Sequence, residues 1–486
     1  MADPEKTPLT PAAATEKALR LARQLGPAPN SRAKAAFAQC VAHAQFSADD
    51  LPVRTALTAA ITEGWTNPHD LFVPAVSLIR LDERIAGCVR RANDSWPARP
   101  ARTALFGAEG LAALAGDRLL RALLEAAPVI SMQLERLLTC ARHALLEIAS
   151  DRQTPDPADV AALGFYAALA RQCFINEFVF DCPQGEQLAA TSGRTRLLEL
   201  LDAGEAVPPF LVLAVAAYFP LHLLPDAERL LAHGQPFPVD EVLRQQIREP
   251  REEQALAASI ARLTPITDSV SRTVRDQYER NPYPRWVKMP MQGELLPFNA
   301  ELRRFLPVPS FVPMPDDRAP EVLVAGCGTG RDAIFFARRF RGARVLAIDL
   351  SLGSLSYARR KTQELGVANI EYAQADLLEP GDSARTFDIV GVVGVLHHLA
   401  DPFEGWRRLL TRLRAGGFMC LGLYSRSGRR PVVWAREFIA ARGYPNTPEG
   451  IRRFRQDVVA GEAGAEVRSL TRSRDFYSLS ECRDMK

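Results

Sequence analysis

A chain of 486 residues is longer than one hydrophobic core usually organises, and 47% apolar side chains supply material for two or three cores. Sixty basic against fifty-seven acidic side chains leave a net charge of +3, which excludes the one-sided excess of a dedicated nucleic-acid binder and singles out no partner. Eight scattered cysteines without a Cys-x-x-Cys pair exclude a disulfide framework or zinc knuckle, so no metal site is expected.

The first residues, "MADPEKTPLTPAAATEK", mix acids and bases where a secretory signal needs an uninterrupted apolar run. From Ala14 to Arg262 leucines and alanines recur at spacings of three and four, as in "LLRALLEAAPVISMQLERLLTCARHALLEIA". That spacing predicts helix after helix, hence an all-α domain over 1–262, with stacked helix pairs of a solenoid as the expected arrangement. No repeat period stands out, and the tetratricopeptide pattern is not visible. The most apolar stretch, Phe210 to Phe219, is closed off by Pro209 and Pro220 and falls short of the roughly 20 residues that cross a bilayer. A cytoplasmic protein without a membrane partner is the expectation.

Over 263–320 the texture changes to "LTPITDSVSRTVRDQYERNPYPRWVKMPMQGELLPFN". Pro282, Pro284, Pro290 and Pro297 forbid a long helix, so a short helix followed by an extended connector is predicted. Linkers favour small polar residues, whereas Tyr278, Tyr283 and Trp286 are costly to leave in water. Two readings stay open for them and for Arg285: a lid over a ligand, with Arg285 or Arg331 facing a carboxylate, or packing between two domains.

From Glu321 strands alternate with helices: "EVLVAG", "RDAIFFARRF", "ARVLAID", "SLSYARRKTQELG", "IEYAQAD", "FDIVGVVGVL", "PFEGWRRLLTRL" and "GGFMCLGLYS". This pattern predicts a doubly wound, mostly parallel sheet over 321–486, with ligands at the carboxyl ends of its strands. Gly326, Gly328 and Gly330 lie in the first strand-to-helix turn, where backbone can approach a ligand closely and a helix amino terminus offers free N–H groups. The dinucleotide fingerprint Gly-x-Gly-x-x-Gly would need glycine or alanine at 331, where Arg331 stands, which argues against NAD. Asp349 ends the second strand about twenty residues on, where a carboxylate can accept from both hydroxyls of an adenosine ribose. Asp376 closes the third strand, where it could meet an adenine amino group.

As a set, "VLVAGCGTG", "LAIDLS", "QADLL", "FDIV" and "GVLHHLADP" resemble the successive motifs of class I S-adenosylmethionine-dependent methyltransferases, in order from Val322 to Ser425. "VRDQYERNPYPRW" before them, with "GFMCLGLYS" and "ARGYPNTPEGIRRFRQ" after, resemble bacterial proteins in which such a domain follows a helical, often tetratricopeptide-type, amino-terminal region. The resemblance implies a Rossmann-like fold, S-adenosyl-L-methionine as cofactor, and cofactor-binding residues Gly326, Cys327, Gly328, Gly330, Asp349, Leu350, Asp376 and Leu377. One departure is Val324, where the family commonly has an acid two residues before the first glycine. About 1 kcal/mol of polar contact is then missing.

Methyl transfer from a sulfonium is an in-line displacement, so alignment and water exclusion can supply much of the acceleration. His397 and His398 follow the fourth strand and are the candidate bases; the alternative is that they cap the strand end and line the pocket. The arginines from Arg426 through Arg436 and Arg442 to Arg452, Arg453 and Arg455 are interspersed with acids and read as a solvated helical face rather than a nucleic-acid site. A complete domain of this class adds two further strands, the last antiparallel, where this chain reads as helix and loop, so the carboxyl-terminal strands are expected to be truncated or replaced. The sequence thus predicts a methyltransferase whose helical domain docks an acceptor, protein or small molecule; the rival is a helical adaptor with a cofactor-binding but inactive fold.

Overall fold

The computed structural model describes residues 10–151, 155–232, 234–280, 282–290, 295, 297–305, 312–315, 318–379, 385–425 and 427–484; Arg426 lies outside them. The chain forms two compact units: Met1–Glu249 with Trp286–Met291 and Pro431–Lys486, and Pro250–Arg285 with Gln292–Arg430. No described helix is long and apolar enough to cross a membrane.

The first unit is helical, and its described residues carry no strand. Local chemistry sets the helix ends. The Ser131 hydroxyl accepts from the Leu134 N–H to start the helix Met132–Ser150, Asp117 caps Arg118–Ala126 in the same way, and Gly204 at φ 70° stops Gln184–Ala203. The leucine faces of these helices merge into one core around Leu57, Leu137, Leu145 and Leu213. Burial of such side chains, at about 25 cal/mol per Å² of apolar surface, is the main term holding the unit together.

The carboxyl-terminal helices Arg430–Arg442 and Pro448–Ala460 contribute to this helical core. Ile451, Phe454, Val458, Phe476 and Tyr477 belong to the same cluster as Leu137 and Leu213. The sequence expectation had grouped 431–486 with the α/β domain. Helical periodicity marks an apolar face without saying which core receives it.

The expectation of a solvated arginine face fails at Arg455 and Arg452. The Arg455 guanidinium donates to both oxygens of Glu135 at 3.0 and 2.8 Å, to the Phe476 carbonyl at 2.7 Å and to the Val179 carbonyl at 3.0 Å. The side chains of Arg455 and Glu135 are 1% and 4% exposed. Arg452 donates to the Phe178 carbonyl at 2.7 Å.

Glu481, on the last helix, is pushed up to about 8 by burial and by the nearby Asp475 and Glu177 carboxylates. Glu177 itself accepts from the Ser480 N–H at 2.5 Å. Between the ordinary glutamate value of 4.5 and about 8, the folded chain keeps a proton on Glu481 that the unfolded chain releases. Stability therefore falls as pH rises through that window, by on the order of a few kcal/mol in total, and is flat in this contribution outside it. Glu481→Gln should remove that slope in urea titrations run from pH 5 to 9; an unchanged slope would reject the assignment.

The second unit holds a six-stranded, all-parallel sheet: β1 (Ala261–Arg262), β2 (Glu321–Ala325), β3 (Arg344–Asp349), β4 (Ile370–Gln374), β5 (Phe387–Val393) and β6 (Leu413–Gly422), in the order β1-β4-β3-β2-β5-β6. Sequence order reverses at β2, flanked by β3 and β5, which places the ligand crevice at its carboxyl end. Val322, Val324, Val345 and Ala347 pack on one face with Phe336 and Leu355; Leu323, Ala325, Leu346 and Ile348 pack on the other with Leu409. Burial on both faces explains why these strands read as continuous apolar runs.

β1 was not expected. Two exposed residues pair with Ala373 and Gln374, and the Leu263 N–H continues the ladder to the Gln374 carbonyl at 2.9 Å. The proline-rich stretch also contains more than an extended connector. Beyond the expected short helix, Ser269–Arg280, a second helix, Phe298–Phe305, packs Phe298 against Phe340 and Phe418. No strand among the described residues flanks β6 on its outer side.

Candidate cofactor site

The turn after β2 is built on three glycines in the left-handed region: Gly326 at φ 69°, Gly328 at φ 49° and Gly330 at φ 81°. Each is required by the protein itself. A Cβ on Gly326 would lie 2.4 Å from Val395, one on Gly328 2.7 Å from the Tyr283 carbonyl, and one on Gly330 2.6 Å from the Ala358 Cβ. The glycines let the turn dive under three neighbours and start the helix Arg331–Ala337. Cys327 is buried in this turn, its N–H donating to the Ile348 carbonyl at 2.9 Å, and burial holds its thiol well above the ordinary range. Val324, in β2, is 3% exposed, so no carboxylate stands two residues before the first glycine.

Asp349 ends β3 and ties its end to the glycine turn. One carboxylate oxygen accepts from the Gly328 N–H at 2.8 Å, the other from the Ser351 N–H at 2.9 Å. Burial raises the Asp349 carboxyl above the usual range, the backbone donors oppose that shift, and the charge of Glu279 adds to it. Half-buried Leu350 follows, its carbonyl accepting from the Gln374 side-chain amide at 2.8 Å.

Asp376, just past β4, is 2% exposed. Its Oδ1 accepts from the Leu378 N–H at 2.9 Å and its own N–H donates to the Thr264 hydroxyl at 2.8 Å. Its Oδ2 is buried with no hydrogen-bond partner among the described residues. A buried carboxylate oxygen with its lone pairs unused is costly unless a donor arrives, and an adenine amino group is such a donor. Leu377 stands next to it, 3.1 Å from the position a Cβ on Gly405 would take.

Past β5, the turn Leu396–His398 brings His398 to Tyr278: their Nε2 and Oη atoms are 3.3 Å apart. The His397 ring lies 4.2 Å from those of His398 and Tyr424. The Arg429 guanidinium covers Tyr424 at 3.6 Å, and the Arg285 guanidinium lies over Tyr357 at 5.7 Å.

The segment between β1 and β2 supplies site residues that the sequence did not reveal. Thr264 holds the Asp376 backbone, Thr267 donates to Glu379 at 2.7 Å, and Glu279 accepts from Ser351 and Gly353. The Thr329 hydroxyl donates to the Pro284 carbonyl at 2.5 Å. Leu263 to Glu279 and Tyr283 to Arg285 thus run as a strap past the ends of β4, β3, β2 and β5. Tyr278 and Tyr283 are part of the α/β unit, whereas Trp286 is buried and counts with the helical unit. The only advance signal was the density of aromatic side chains in a stretch that looked like a linker.

Comparison with known proteins adds likenesses to this geometry. Residues 322–417 match the family model described as a methyltransferase domain. An uncharacterized protein of Synechococcus sp. is 32% identical over 233 residues, covering 45% of this chain and 53% of that one. The ubiquinone biosynthesis O-methyltransferase of Acinetobacter baylyi is 31% identical over 150 residues, 30% of this chain and 61% of the relative. The solved structure of phosphoethanolamine N-methyltransferase 2 from Haemonchus contortus, in complex with S-adenosyl-L-methionine, aligns at 25% identity and a TM-score of 0.22 over 34% of this chain and 35% of that one. The chain spans about half to three fifths of the length of the two curated relatives.

Proposed function

We propose that this chain, whose residues 322–417 form a class I S-adenosylmethionine-dependent methyltransferase domain, transfers the cofactor's methyl group to an acceptor at the carboxyl ends of β2 and β5. The observation that carries the reading is the buried Oδ2 of Asp376, which has no hydrogen-bond partner among the described residues and fits the amino group of an adenine. Asp349 accepts from the ribose hydroxyls, and Gly326, Cys327, Gly328 and Gly330 with Leu350 and Leu377 line the cofactor. S-adenosylmethionine supplies a methyl group activated on a sulfonium. The strap keeps water from the strand ends, and His398 with Tyr278 is the pair suited to hold a proton released by a hydroxyl or amine acceptor. His397, ringed by His398 and Tyr424, lines the same end.

The helical unit is the surface we assign to acceptor docking, for a protein or a small molecule. The scattered cysteines, with no Cys-x-x-Cys pair, fit the reducing cytoplasm that we assign to the chain. The adaptor reading rests on Val324, which leaves the cofactor one polar contact short. Calorimetric titration with S-adenosylmethionine and S-adenosylhomocysteine tests the cofactor site, and labelled methyl transfer into cell extract separates enzyme from adaptor. Asp376→Ala should weaken S-adenosylhomocysteine by about tenfold, the worth of one hydrogen bond to a charged group. Wild-type affinity in that variant would reject the adenine assignment.

A further inference from the structure

The strap carries a carboxylate into the ribose end of the site. Glu279, on the helix Ser269–Arg280, places one oxygen where it accepts from the Ser351 hydroxyl at 3.0 Å and the Gly353 N–H at 3.1 Å. Ser351 is the N-cap of the thirteen-residue helix Leu352–Glu364, its hydroxyl oxygen also accepting from the Ser354 N–H at 3.0 Å. The backbone N–H of the same Ser351 donates to Asp349 at 2.9 Å. One serine therefore joins two carboxylates: Asp349 through its main chain and Glu279 through its side chain. The absence of a side chain at Gly353 lets the strap in, since a Cβ there would lie 3.1 Å from the Glu279 carbonyl. A carboxylate at this helix start is favoured by the helix dipole and by the free N–H groups of the first turn.

Resting on the methyltransferase reading, we infer that Glu279 is a positioning residue for the cofactor site: it latches the strap to Ser351 and so couples strap closure to the orientation of Asp349. With the latch made, the strap lies across the strand ends and Ser351 is held from both sides. Without it, Tyr278 and the Tyr283 carbonyl lose the anchor that keeps them over His398 and Gly328. A bound nucleoside then leaves faster, while its arrival, which needs an open strap in any case, changes little.

The test uses the full chain with S-adenosylhomocysteine as probe, following association and dissociation rates together with hydrogen–deuterium exchange of peptides covering 264–280. Glu279→Ala should speed exchange across those peptides in the unliganded chain and speed dissociation by about tenfold, with association nearly unchanged. Glu279→Gln, whose amide oxygen can accept the same two bonds, should restore most of both effects. Wild-type dissociation in Glu279→Ala, or faster dissociation with no change in exchange, would overturn the latch. If the wild-type chain binds no S-adenosylhomocysteine, the methyltransferase reading and the coupling fall together; exchange in the unliganded chain then still decides whether Glu279 holds the strap.

Discussion

Arg455→Met is expected to cost the helical unit about 3–5 kcal/mol, a large share of the roughly 5–15 kcal/mol that stabilises a typical folded domain. The loss comes less from the missing guanidinium than from what it leaves behind. Glu135 is 3% exposed, and its two oxygens would keep a buried charge without their counter-ion. The Phe476 and Val179 carbonyls would lose their donor as well. Because two units unfold in this chain, urea denaturation should be followed by probes that resolve two transitions, and the change should fall on one of them. The double variant Arg455→Met with Glu135→Leu should recover much of the loss, since an apolar pair of similar volume needs no compensation. A single variant within 1 kcal/mol of wild type would contradict the buried pair.

Asp349→Ala should abolish measurable S-adenosylhomocysteine binding, weakening it by about a hundredfold or more. Two hydrogen bonds from ribose hydroxyls to a charged acceptor are worth about 3 kcal/mol or more together. The same substitution strips the acceptors from the Gly328 and Ser351 N–H groups, so the glycine turn and the helix start loosen at once. Circular dichroism of the variant should remain wild-type, which separates loss of the site from loss of the fold. The raised carboxyl of Asp349 also fixes the sign of the pH dependence. Binding requires its ionised form, so wild-type affinity should fall off on acidification at a higher pH than an ordinary aspartate would give.

What could be read in advance followed from short-range order. The apolar runs Val322–Ala325 and Val345–Ile348, each ending in a glycine turn or an aspartate, announce buried parallel strands whose ends face a ligand. The same local logic gave the short helix of the strap. What could not be read is pairing at a distance. Arg455 meets a carboxylate 320 positions earlier, and nothing around it distinguishes a buried arginine from the solvated ones nearby. Glu279 finds Ser351 72 positions on, and Thr264 finds Asp376 after 112. β1 escaped because two residues carry no alternation; only the exposed edge of β4 makes them a strand.

The helical unit is interrupted: the chain departs at Glu249, returns for Trp286–Met291, completes the sheet, and resumes at Pro431. During synthesis the residues that seal the core therefore leave the ribosome after the α/β unit. At about 5–20 residues per second, the 320 residues between Glu135 and Arg455 take about 15–60 s to emerge. Until Phe454 and Phe476 emerge, the faces that later receive them stay open to water, whereas the sheet has all of its strands once Gly422 is out. The nascent helical half is thus the portion that most needs shelter from a chaperone, although it is made first.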